Sequence, residues 1–141
     1  MRKPLWLVWW ALKRRAKQYA PLVVGDYFEI DFKWVNKRLQ PNYFTYDPTD
    51  LRRALCGLAH EIGHCIAVET YSKRKLCRLG KAEVVPVEWF QGRHKQGQEY
   101  YEDERRAWQE GAKILEELGF KDWAYFGRES SSCLATYEVV L

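Results

Sequence analysis

With 141 residues, 47% of them apolar and 16% aromatic, the chain has enough hydrocarbon for one well-packed domain, which excludes a disordered tail or a pair of domains. Its net charge of +4 is unevenly spread: residues 1–40 carry nine Lys and Arg against three Asp and Glu, whereas residues 99–141 carry five against ten. The basic half suits an acidic partner or nucleic acid, but no nucleic-acid-binding motif accompanies it, and a solvated basic face is the plainer reading. The four cysteines (Cys56, Cys65, Cys77 and Cys133) show neither C-x-x-C spacing nor a dense framework, so they read as reduced thiols of a cytoplasmic protein.

The first 20 residues hold an apolar run, Leu5 to Leu12, followed by Lys13-Arg14-Arg15. The run is far shorter than the about 20 residues a bilayer span needs, and no small-x-small cleavage site follows it. Leu5, Trp9, Leu12, Ala16 and Tyr19 instead mark a helical stripe, with Trp6 and Trp10 widening it. The expectation is an amphipathic, Trp-rich helix that packs on the core or binds a partner or membrane surface through its tryptophans. Past Pro21 and Gly25 the period changes. Phe28, Ile30, Phe32 and Trp34 alternate with polar residues, as on a half-buried strand. Asn36 to Asn42, holding Pro41, is expected to turn the chain into a second strand, Tyr43 to Tyr46.

A helix is expected over residues 48–70, with Asp47 as N-cap, Pro48 in the first turn and Asp50 adding favourable charge there. Leu51, Leu55, Leu58, Ile62 and Ile66 form its packed ridge. Off that ridge lies His60-Glu61-Ile62-Gly63-His64, an H-E-x-x-H pentapeptide. Residues four apart on a helix share a face, so His60 and His64 can present two imidazoles to one ion. Glu61 stands one residue round, placed for a general base. Gly57 and Ala67 on the same side would leave room beside the imidazoles. The bland alternative is a chance pentapeptide on a wet helix. Cys65, adjoining His64, reads as a small packing residue, with a redox or metal-accessory role as the sharper alternative.

Farther on, Val84-Val85-Pro86-Val87 reads as an edge strand or extended loop, and Gln91 to Gln98, with His94, as a polar loop. A second long helix is expected from about Glu99 to Leu118. Taking Glu104 as zero at about 100° per residue, Ala107, Trp108, Gly111, Leu115 and Leu118 fall within about 60° of it, so Glu104 sits inside an apolar stripe. A carboxylate buried there needs a cation, either a metal held by the two histidines or an arginine such as Arg52 or Arg53; the remaining alternative is a stripe edge that stays wet. Ser130-Ser131-Ser132 is expected to cap a last short helix.

Leu58 to Cys65, preceded by a strand pair and followed about 40 residues later by Glu104-Arg105-Arg106-Ala107-Trp108, resembles the zincin metallopeptidases of the gluzincin type, nearest to the ImmA/IrrE-like group of phages and mobile elements. A metzincin would carry a histidine where Thr70 stands. The resemblance covers roughly residues 28–115 and implies an α+β, zincin-like minimal domain, with a small, mostly antiparallel sheet on the H-E-x-x-H helix and a second ligand-bearing helix; the length makes residues 1–141 one such domain, with residues 1–20 its Trp-rich N-terminal helix. The resemblance further implies that His60, His64 and Glu104 bind Zn2+, that Glu61 is the catalytic acid and base, and that a protein or peptide, such as a regulator of a phage or mobile element, is the substrate. His94, Tyr100 and Tyr101 are candidates to steady the oxyanion. The alternative is a basic, Trp-rich binding or regulatory protein with a catalytically silent core.

Overall fold

The computed structural model describes residues 3–36, 38–72 and 95–138. Among them the fold is α+β. Helix α1 (Leu5–Lys17) leads into strands β1 (Leu22–Val24), β2 (Glu29–Val35) and β3 (Arg38–Tyr46), followed by helices α2 (Leu51–Val68), α3 (Lys95–Glu117) and α4 (Trp123–Glu138). Helix α2 lies at the centre, packed against α1, α3, α4 and the sheet. Its ridge of Leu55, Leu58 and Ile62 is fully buried and meets Val8 and Leu12 of α1, Ile30 and Phe44 of the sheet, Ile114 and Leu115 of α3, and Phe120.

The sheet is small and mixed: its longer pairing is antiparallel, as expected, and a short parallel strand joins it. Its strand order is β1-β3-β2, with β1 parallel and β2 antiparallel to the central β3. The parallel strand is only three residues long, too short for an alternating pattern, and its partner Phe44 lies 22 positions beyond Leu22, so nothing local announces it. The hairpin also turns earlier than Pro41 suggests. Val35 pairs with Arg38, and the reversal is made at Asn36, whose φ of 51° suits the short polar side chain. Pro41 sits within β3 opposite Phe32, at a register shift between Asp31 and Phe32, on a stretch that, among the described residues, only β2 borders; a proline without an N–H is tolerated there. Past that shift the alternation no longer keeps to the core: Ile30 is buried, Phe32 partly so, and Trp34 is exposed.

Three helix boundaries differ from expectation. Asp50, not Asp47, caps α2, accepting hydrogen bonds from the N–H groups of Arg52 and Arg53, while Asp47 folds back on the N–H and hydroxyl of Thr49. Helix α3 is already formed at Lys95, the first described residue of that segment and a turn before Glu99. Ser130, Ser131 and Ser132 lie inside one continuous α4 that starts at Trp123, where the Asp122 carboxylate accepts from the Tyr125 N–H and forestalls a later start. On α1, Val8, Leu12 and Ala16 are buried, but Trp6 and Trp10 point to solvent and do not widen the packed stripe. Val84 to Val87 and Gln91 to His94 fall outside the described residues, and Lys95 to Gln98, expected in a polar loop, are helical.

Candidate metal centre

Two glycines decide how closely α2 and α3 approach. A Cβ on Gly63 would collide with the carbonyl oxygen of Ala107, and one on Gly111 would stand 2.8 Å from the carbonyl oxygen of Ala59. Side chains there would force the backbones apart. With hydrogen at both positions the helices touch, and Glu104, one turn before Ala107, is set directly against the imidazole face of α2. Farther along, the Arg106 guanidinium donates to the Thr70 hydroxyl, and Tyr71 hydrogen-bonds Asp103, so the end of α2 is tied to α3 around Glu104. Gly57, expected to clear space beside the histidines, instead receives the ring of Phe28.

The Glu104 carboxylate spans the two imidazoles: Oε2 lies 2.7 Å from His60 Nε2, and Oε1 lies 3.0 Å from His64 Nε2. The two rings are 4.6 Å apart, centre to centre. Arg52 pairs with Asp122 at 3.3 Å and Arg53 lies over the Phe28 ring, so the ion pair drawn from sequence as the alternative for Glu104 is not among the contacts of either arginine.

Glu61 is buried between α2 and the sheet. Its Oε2 accepts from the Ile30 N–H at 3.0 Å, and its Oε1 stands 3.4 Å from His60 Nδ1. His60, Glu61 and His64 each bring a donor atom into a group whose members lie within 4.8 Å of one another, an arrangement that could hold a metal ion. On its other side His60 is covered by Trp108, whose indole stacks on the imidazole at 4.2 Å and 8° from parallel. Trp108 follows Glu104 by four residues and so must share its face. That spacing was the available signal that Trp108 belongs to the site.

Burial alone would drive His60 toward its neutral form. Hydrogen bonds to Glu104 and Glu61, with the charge of both carboxylates, outweigh it and raise the His60 pKa to about 9. For Glu104 the opposition runs the same way: burial pushes its pKa up, but hydrogen bonds and charge from His60 and His64 hold it well below the usual carboxylate range. Without a metal, therefore, a proton on His60 offsets part of the negative charge of Glu61 and Glu104. A divalent cation would take over that role, displacing the proton from His60 Nε2 while the Glu61 carboxylate keeps the Nδ1–H oriented.

Cys65 adjoins His64 in sequence but is fully buried, and burial pushes its thiol above the ordinary range, so it stays protonated as a packing residue. Cys56, Cys65 and Cys133 are unpaired. Of the candidates for steadying an oxyanion, His94 and the side chain of Tyr100 lie outside the described residues, and Tyr101 is half-buried on α3, three positions before Glu104. No protein-family model, no curated protein and no solved structure matches this chain, so its function has to be argued from the chemistry of the His60, Glu61, His64 and Glu104 cluster itself.

Proposed function

We propose that this protein is a zinc-dependent endopeptidase of the zincin class, gluzincin type, nearest to the ImmA/IrrE-like group, working in the cytoplasm on a protein or peptide. The observation that carries the proposal is the convergence of Glu104 on His60 Nε2 and His64 Nε2, 2.7 and 3.0 Å away. Two imidazoles and one carboxylate are a donor set that zinc takes in catalytic sites. Donors sharing a zinc at 2.0–2.1 Å stand roughly 3.3 Å apart, whereas the Glu104 oxygens touch the imidazoles at 2.7 and 3.0 Å, so the carboxylate would have to draw back to admit an ion.

His60, His64 and Glu104 would hold the ion. When bound, zinc lowers the pKa of water to about 7 and polarises a carbonyl oxygen. To act as the base, Glu61 Oε1 would have to leave His60 Nδ1, 3.4 Å away, and turn to the attacking water; it then takes the water's proton and delivers it to the leaving amine nitrogen, while the Ile30 N–H holds the other oxygen. Trp108 and the close helix crossing keep bulk water from the rear of His60. Strand β2 has a sheet neighbour on one side only among the described residues, and its Ile30 meets Glu61, so an extended peptide adding to that edge would lie alongside the proton carrier.

The runner-up is a binding or regulatory protein in which the same cluster is silent. The observation in its favour is that both Glu61 oxygens already have partners, Ile30 and His60. Incubating the zinc-loaded protein with denatured casein separates the two. Endopeptidase action predicts fragments whose formation stops with a chelator and resumes when zinc is restored; intact casein throughout would support the silent reading.

A further inference from the structure

We propose that the outer face of α1 is a docking surface for an anionic phospholipid bilayer, with the helix lying flat on the headgroups. The inference is independent of the metal centre. At about 100° per residue, Trp6, Trp10, Lys13, Arg14 and Lys17 all fall within roughly 100° of one another, opposite the buried row of Val8, Leu12 and Ala16. The buried row fixes the helix to the core, so the outer face is presented rigidly.

That face combines two features that water alone does not favour together. Trp6 is 63% and Trp10 53% exposed, although neither is needed for packing. Beside them the charge is of one sign: residues 1–20 contain six Lys and Arg and no Asp or Glu. Arg15 is engaged with Glu117 at 3.1 Å, but Arg14 lies over the Trp10 ring at 4.8 Å and Lys13 over Trp9 at 5.4 Å, so cations and indoles stand at the same level. Indoles settle at the boundary between headgroups and acyl chains, and cations beside them meet lipid phosphates. Exposed apolar surface continues past the helix. Trp9 packs on Tyr46, and the ladder neighbour of Tyr46, Val24, is 63% exposed on the same side of the sheet. Single-stranded nucleic acid also uses aromatic residues with cations, but there they line a groove that follows the backbone, whereas this is the convex side of a helix adjoining exposed valine. No described helix is long and apolar enough to cross a membrane, so the contact proposed is with the surface.

Cosedimentation of the whole protein with vesicles tests the proposal. The protein should pellet with phosphatidylcholine vesicles that contain phosphatidylserine and remain in solution with phosphatidylcholine alone. Replacing Lys13, Arg14 and Lys17 together by Ala should weaken binding about 100-fold, about fivefold for each cation. Trp6→Ala with Trp10→Ala should weaken it roughly tenfold or more without lowering the thermal midpoint, because neither indole is part of the core. Failure to pellet with the anionic vesicles, binding unchanged in both variants, or tighter binding to a single-stranded oligonucleotide in the same buffer would overturn it.

Discussion

Glu61→Gln is expected to slow peptide hydrolysis by about 10²- to 10⁴-fold while zinc remains bound. The substitution is conservative in shape. A glutamine carbonyl can still accept from the Ile30 N–H, so the junction between β2 and α2 survives. What is lost is the capacity to take up a proton, because an amide oxygen is far too weak a base. The deficit should fall on kcat and on kcat/KM alike, since proton transfer belongs to the transition state rather than to substrate binding. Steady-state rates on casein fragments, with zinc content measured on the same samples, supply the check. A variant that cleaves at the parental rate would remove Glu61 from the mechanism and leave it the task of orienting His60.

Gly63→Ala should have the largest effect on the fold for its size. The added methyl meets the carbonyl group of Ala107, with its carbon at 2.8 Å and the Ala107 Cα at 3.0 Å, and none of these is the free end of a side chain. The helices must part where they cross. Overpacking of this kind costs about 1–3 kcal/mol, and because Glu104 rides on α3 one turn away, zinc affinity should fall as well. Gly127→Ala is the natural comparison: nothing lies within 4 Å of a Cβ there, and alanine is favoured over glycine inside a helix by about 0.5–1 kcal/mol. Urea midpoints should therefore move in opposite directions. An unshifted midpoint for Gly63→Ala would mean that the crossing is not as tight as described.

What could be read from the chain before its structure was local. The H-E-x-x-H spacing places two imidazoles on one face whatever surrounds it, and a carboxylate set in an apolar stripe marks Glu104 as a residue in need of a cation. What could not be read depends on partners distant in sequence. Gly63 passes for a variable position of the pentapeptide and Gly111 for one more stripe residue until the two helices are set together. Pro41 reads as a turn because its missing N–H matters only if a second strand lies on that side, and among the described residues none does at that point of β3. The serines of α4 read as a cap because serine favours that position, whereas the Asp122 carboxylate, eight residues earlier, already accepts from the first turn. Trp6 and Trp10 fit a helical stripe equally well packed or exposed, and the side that Val8 takes decides between them.

Titrating the metal-free protein with zinc, wild type beside Glu104→Gln, tests the central claim most directly. Predicted for the wild type is one ion per chain, with an affinity that declines about tenfold for each pH unit below about 9, because the ion must displace the proton that His60 carries there. Predicted for the variant is binding weaker by at least about 100-fold, since it loses a charged ligand and not merely a neighbour of one. Equal affinity in the two proteins, or an affinity indifferent to pH across that range, would contradict an ion held between His60, His64 and Glu104.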